Sequence, residues 1–159
     1  MTKYFLEKAL DDLRILREKN LNLIESVSQK NLTFIPDGFS NHIYWHAGHI
    51  LTVQESLLYR RTNLEMHIPE SYIKYFAKGT SPADFDESIP AISDIIKRLT
   101  ISLQQIEKDI LKYQNEKYEE PVLVSFGMRL TSFADALLAL PYHEAYHFGS
   151  MKMLQKFLK

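Results

Sequence analysis

The sequence contains no cysteine among its 159 residues. That excludes disulfides, iron–sulfur clusters, thiolate nucleophiles and Cys-ligated zinc, and it suits a reducing cytosol. Any metal site must be built from nitrogen and oxygen. An excess of one charge is missing as well, since 19 basic and 20 acidic side chains leave a formal net charge of -1. Nucleic-acid binding draws on clustered Lys and Arg, so no nucleic-acid partner is expected. Long apolar runs are absent too. The longest, near residues 136–141, falls far short of the ~20 residues of a membrane span. The opening MTKYFLEKALDDL meets acidic residues before a signal-peptide core could form. No membrane partner is expected, and a cytoplasmic location is.

What is present is ordinary for a globular protein: 45% apolar and 25% charged residues. One domain over residues 1–159 is expected. Only 5 glycines and 6 prolines interrupt it, and they divide the chain into four long segments. The first, residues 2–28, shows an apolar stripe of Leu6, Leu10, Leu13, Leu16, Leu23 and Val27, with charged residues filling the rest. The second, 40–61, shows Ile43, Ala47, Ile50, Leu57 and Leu58, with Ser40 or Asn41 as its cap. The third carries Ile92, Ile96, Leu99, Leu103, Ile106, Ile110 and Tyr113, alternating by four and three as in a helix seam. Ser88 is its expected cap, with Pro90 in the first turn. The fourth, from about 131 to the end, carries Phe133, Ala136, Leu140, Met151, Leu154 and Leu158.

Alternation with period two occurs only over residues 122–126, too short to predict a sheet. The pattern therefore predicts an all-α four-helix bundle. A long crossover, residues 62–87, links its second and third helices. Tyr72, Ile73, Tyr75 and Phe76 in that link are expected to form a short amphipathic helix over the bundle end.

The candidate chemistry lies in the histidines. Five of the 6 fall in two groups: His42, His46 and His49 on the second helix, His143 and His147 on the fourth. Two histidines at i, i+4 project from one helical face, at the separation needed to share one metal ion. On a helical wheel His143 and His147 lie within the apolar stripe of the fourth helix, where buried imidazoles need partners. The string HEAYH also matches the zincin pattern of two ligands and a glutamate. Zincins take a third ligand downstream, however, and the remaining FGSMKMLQKFLK holds no His, Asp, Glu or Cys. A protease is not expected, and the third ligand must come from the second helix.

WHAGHI at residues 45–50, followed by HEAYHFG at 143–149, resembles the DinB-like superfamily of bacterial metalloproteins. The resemblance spans the whole chain, including the long link. It implies an up-down-down-up bundle, expected as a homodimer, and a divalent cation, zinc or nickel. The implied ligands are His49, from the Trp-x-x-Gly-His pattern, with His143 and His147. The helical wheel alone favours a different residue on the second helix. His46 lies about 50° from the apolar centre and His49 about 100° away. Pro141, two residues before His143, removes one helical hydrogen bond and is expected to kink the fourth helix. Where family members commonly carry Gln after the glycine, this chain has Ser150.

Three neutral imidazoles with one open position suit a catalytic metal site. Glu144 is the candidate proton carrier, though as a bland alternative it is a surface carboxylate. Relatives include transferases that add low-molecular-weight thiols such as bacillithiol to electrophiles, so the resemblance implies a metal-dependent thiol S-transferase acting on a small molecule. A metal-dependent small-molecule hydrolase, and a metal-stabilised or metal-sensing bundle without turnover, are the alternatives.

Overall fold

The computed structural model describes residues 3–125 and 127–158. The extreme ends of the first and last segments, and Phe126 at the end of the alternating stretch, lie outside the described residues. In chain order the helices are α1 (Lys3–Glu25), α2 (Gln29–Leu32), α3 (Ile43–Leu58), α4 (Ser71–Phe76), α5 (Ile92–Tyr113) and α6 (Phe133–Gln155). The strands β1 (Lys117–Leu123) and β2 (Arg129–Ser132) stand between α5 and α6. The four long helices are the four amphipathic segments, and α6 runs through Pro141 as one helix. Each of α1 and α3 packs against both α5 and α6.

The hairpin corrects the expectation of no sheet. β1 and β2 pair antiparallel with Lys117 opposite Ser132 and Leu123 opposite Arg129. An irregularity between Lys117 and Val122 breaks the two-residue rhythm, and it falls on Glu119, Glu120 and Pro121, which are poor strand formers. Tertiary contacts hold the strand instead. Tyr118 is buried and its hydroxyl donates to the Leu57 carbonyl at 2.6 Å.

The helix starts also differ from expectation. α3 is capped by His42, whose Nδ1 accepts from the Trp45 N–H at 3.0 Å, not by Ser40 or Asn41. α5 has Ala91 at its cap position and no side-chain cap, so neither Ser88 nor Pro90 does the work expected of it. The link helix was legible: α4 buries Tyr72, Tyr75 and Phe76. Because α4 covers its outer side, α3 is buried on nearly every face.

Charge runs through the core. The most buried line of α1 is Leu6, Leu10, Leu13, Arg17, Asn20 and Ile24, spaced by four and three, so Arg17 and Asn20 stand in the seam. Leu16 and Val27, read as stripe residues, are only half-buried. Arg17 and Glu144 are each 1% exposed. Arg17 Nε donates to Glu144 Oε1 at 2.7 Å and Nη1 to the Leu99 carbonyl at 2.7 Å and to Ser102 Oγ at 2.9 Å. Nη2 reaches Gln54 Oε1 at 2.8 Å, while Asn20 Nδ2 donates to Glu144 Oε2 at 2.6 Å. Four helices thus contribute to one polar layer, which separates the apolar cluster around Leu13, Leu58 and Phe133 from that around Ile24, Leu51 and Met151. Removing one partner of a buried pair leaves a charge stranded.

Candidate metal centre

At the edge of the second apolar cluster, α3 and α6 face each other through four imidazoles. One ring nitrogen from each of His49, His143 and His147 lies within 4.8 Å of the others. His147 Nε2 and His143 Nε2 are 3.1 Å apart. Ligand nitrogens 2.0–2.1 Å from a tetrahedral ion stand about 3.4 Å from one another. The pair on α6 already has nearly that separation.

Two of the three rings are held by what lies behind them. His49 Nδ1 is 2.7 Å from the Phe76 carbonyl oxygen. A carbonyl only accepts, so Nδ1 carries the proton and the lone pair sits on Nε2. Phe76 ends α4, where helical carbonyls lack an intrahelical partner; the link thus supplies the acceptor that orients this histidine. The Trp45 indole stacks on the His49 ring at 4.4 Å and 17°, and its Nε1 donates to Thr80 Oγ1 at 3.1 Å, tying the link down. Gly48 leaves room for the same contact: a Cβ there would stand 2.4 Å from two carbons of the Phe76 ring. His147 Nδ1 is 2.8 Å from His46 Nδ1. His143 Nδ1 is buried with no hydrogen-bond partner.

Burial sets the charge state. His49 is 7% and His147 4% exposed, and desolvation pulls His46 and His49 down to about 4. His143 falls to about 3, first from burial and then from the neighbouring His49, His46 and Arg17. His147 is also lowered, by burial and by the three other rings. All four rings are neutral near pH 7, the form that binds a metal. With no carboxylate in the cluster, the donor set is imidazole alone, suited to zinc, nickel, copper or iron. The cluster fits a divalent cation.

Both candidates on the second helix belong here, in different ways. His49 joins His143 and His147, whereas His46 stands behind His147 with its Nδ1 against that ring's Nδ1. Glu144 is not the surface carboxylate weighed above; it is buried, with both oxygens engaged by Arg17 and Asn20. The Ser150 hydroxyl donates to the Tyr146 carbonyl one turn earlier at 3.0 Å. His67 lies elsewhere, against Glu55 and the Tyr59 ring. The sequence reading missed Arg17, the Phe76 carbonyl and the role of His46. For Arg17 a signal existed, the four-and-three spacing from Leu10 and Leu13.

The chain is thus a mainly helical protein with a buried imidazole cluster that could hold a metal ion. The chain belongs to the DinB superfamily, which it matches over residues 12–151. No curated protein matches it. Among the described residues no helix is long and apolar enough to cross a membrane.

Proposed function

We propose that this protein is a divalent-metal enzyme, with zinc or nickel, that transfers a low-molecular-weight thiol of the bacillithiol type to an electrophilic small molecule. One observation carries the reading: the cluster of His49, His143 and His147 is wholly neutral and contains no carboxylate. Neutral ligands leave the charge of a bound dication undiminished, and the nearby Glu144 is itself neutralised by Arg17. A dication held by these residues would therefore favour an anion such as a thiolate beside it. A divalent cation there supplies Lewis acidity, lowering the pKa of a thiol or water beside it. His49, anchored to the Phe76 carbonyl, holds its lone pair toward that point. Glu144 acts in this reading by holding Arg17, because both oxygens of the expected proton carrier are already taken.

The proposal includes the up-down-down-up helix order. It is supported by Tyr44 reaching Pro90, Tyr59 reaching Asp109 and Arg14 reaching Glu107. It also includes a cytoplasmic location and a homodimer, the latter supported by exposed Phe5 and Ile15 on α1 and Tyr142 on α6. The test starts with metal analysis of untagged protein. His49→Ala, His143→Ala and His147→Ala should each lose the ion on dialysis. Metal-loaded protein should then accelerate bacillithiol attack on a model electrophile. Equal rates for loaded, chelated and His143→Ala protein would reject S-transfer. Thiol-independent cleavage of an ester or amide would point to the hydrolase, and bound metal without turnover to a metal-stabilised bundle.

A further inference from the structure

The geometry assigns His46 as the positioning residue of the metal centre: it accepts the Nδ1 proton of His147 and so aims the Nε2 lone pair of His147 into the cluster. The inference rests on the metal reading above and concerns the ring behind the ligands. His46 Nδ1 and His147 Nδ1 are 2.8 Å apart, a hydrogen-bond distance in which one ring must donate and the other accept. His147 Nε2 faces His143 Nε2 at 3.1 Å. If His147 presents a lone pair there, its single proton sits on Nδ1. His46 Nδ1 is then the acceptor, and the His46 proton sits on Nε2. The two tautomers follow together.

The placement of His46 makes it suited to this work. It is 8% exposed, so water does not readily replace it. The Trp45 ring lies edge-on to His46 at 5.4 Å while stacking on His49, so one indole braces both imidazoles of α3. Because His46 and His49 lie on one helix, α3 supplies one ligand directly and orients another across the seam on α6. An imidazole acceptor also adds no negative charge, unlike the carboxylate that often stands behind a ligating histidine. The cluster stays free of formal charge.

Zinc affinity should be measured by competition with a chromophoric chelator, on wild type, His46→Phe and His46→Asn, each shown to be folded by circular dichroism. The phenyl ring fills the space without an acceptor, whereas the asparagine Oδ1 stands where Nδ1 stood. His46→Phe should bind zinc 10–100-fold more weakly and His46→Asn within about threefold of wild type. Cobalt(II) absorption should shift in His46→Phe and be restored in His46→Asn. In zinc-loaded wild type, 15N imidazole shifts should place the proton on Nδ1 of His147 and on Nε2 of His46, a measurement that needs no variant. Wild-type affinity and an unchanged cobalt spectrum in His46→Phe would overturn the assignment, as would the opposite tautomers. Zinc loss in His46→Phe and His46→Asn as complete as in His49→Ala would make His46 a ligand and overturn it too. Failure of wild type to bind zinc better than His49→Ala would instead remove the metal reading itself.

Discussion

Two glycines, one in each histidine motif, should respond in opposite directions to the same substitution. Gly48 lies in α3 and Gly149 in α6, both within helices. In a helix interior Gly→Ala is ordinarily worth about 0.5–1 kcal/mol of stability. At Gly149 a Cβ would meet nothing within 4 Å, so Gly149→Ala should deliver that gain. At Gly48 it would stand 2.4, 2.4 and 2.5 Å from three carbons of the Phe76 ring, where carbon atoms pack at about 3.5–4.0 Å. The ring must move by about 1 Å, yet Phe76 is 0% exposed and lies among Tyr44, Tyr72, Tyr75 and Phe85. Overpacking costs about 1–3 kcal/mol; the upper end less the helix gain leaves a net loss of about 2 kcal/mol. For a chain of this size that lowers Tm by about 4–8 °C, while Gly149→Ala raises it by about 1–4 °C. Urea denaturation with unchanged m would read both values. Phe76 also carries the carbonyl that anchors His49, so Gly48→Ala should weaken zinc binding as well. A Gly48→Ala protein as stable as Gly149→Ala would refute the account of α4 packing.

Arg17→Met should cost about 3–5 kcal/mol, because it strands the buried Glu144 carboxylate. The double variant Arg17→Met/Glu144→Leu should recover most of that in denaturant melts, and a single-variant loss below about 1 kcal/mol would mean that water solvates the layer. The α3 cap should make stability depend on acid. Burial holds His42 at about 4, below its ordinary value of about 6.5, so the unfolded chain binds its proton first as pH falls. The contribution of His42 is full above about pH 6.5 and is lost toward pH 4. His42→Ser caps with a hydroxyl that does not titrate, and it should gain on wild type by about 1–2 kcal/mol between pH 7 and pH 5. Parallel stability curves would show that burial does not hold His42 below its ordinary value.

By itself the sequence determined what depends on local periodicity. The four-and-three spacing of Leu99, Leu103, Ile106 and Ile110, and its counterparts, specify long helices, because helix geometry repeats every 3.6 residues wherever the chain goes. The same local rule places His143 and His147 on one face, and the scarcity of breakers in each segment lets the helices run. What periodicity does not carry is the surroundings of each face. Arg17 has seam spacing, but only Glu144, Leu99, Ser102 and Gln54 arriving from three other helices make its burial bearable. Which of His46 and His49 joins the α6 pair as a candidate ligand, and which stands behind it, depended on the crossing of α3 with α6 and on a carbonyl from α4, 27 residues along the chain. The hairpin likewise exists because Tyr118 finds the Leu57 carbonyl and Leu130 a buried place, not because its residues favour strands. Desolvation, which keeps the imidazoles neutral, is a property of the packed interior and belongs to no single segment.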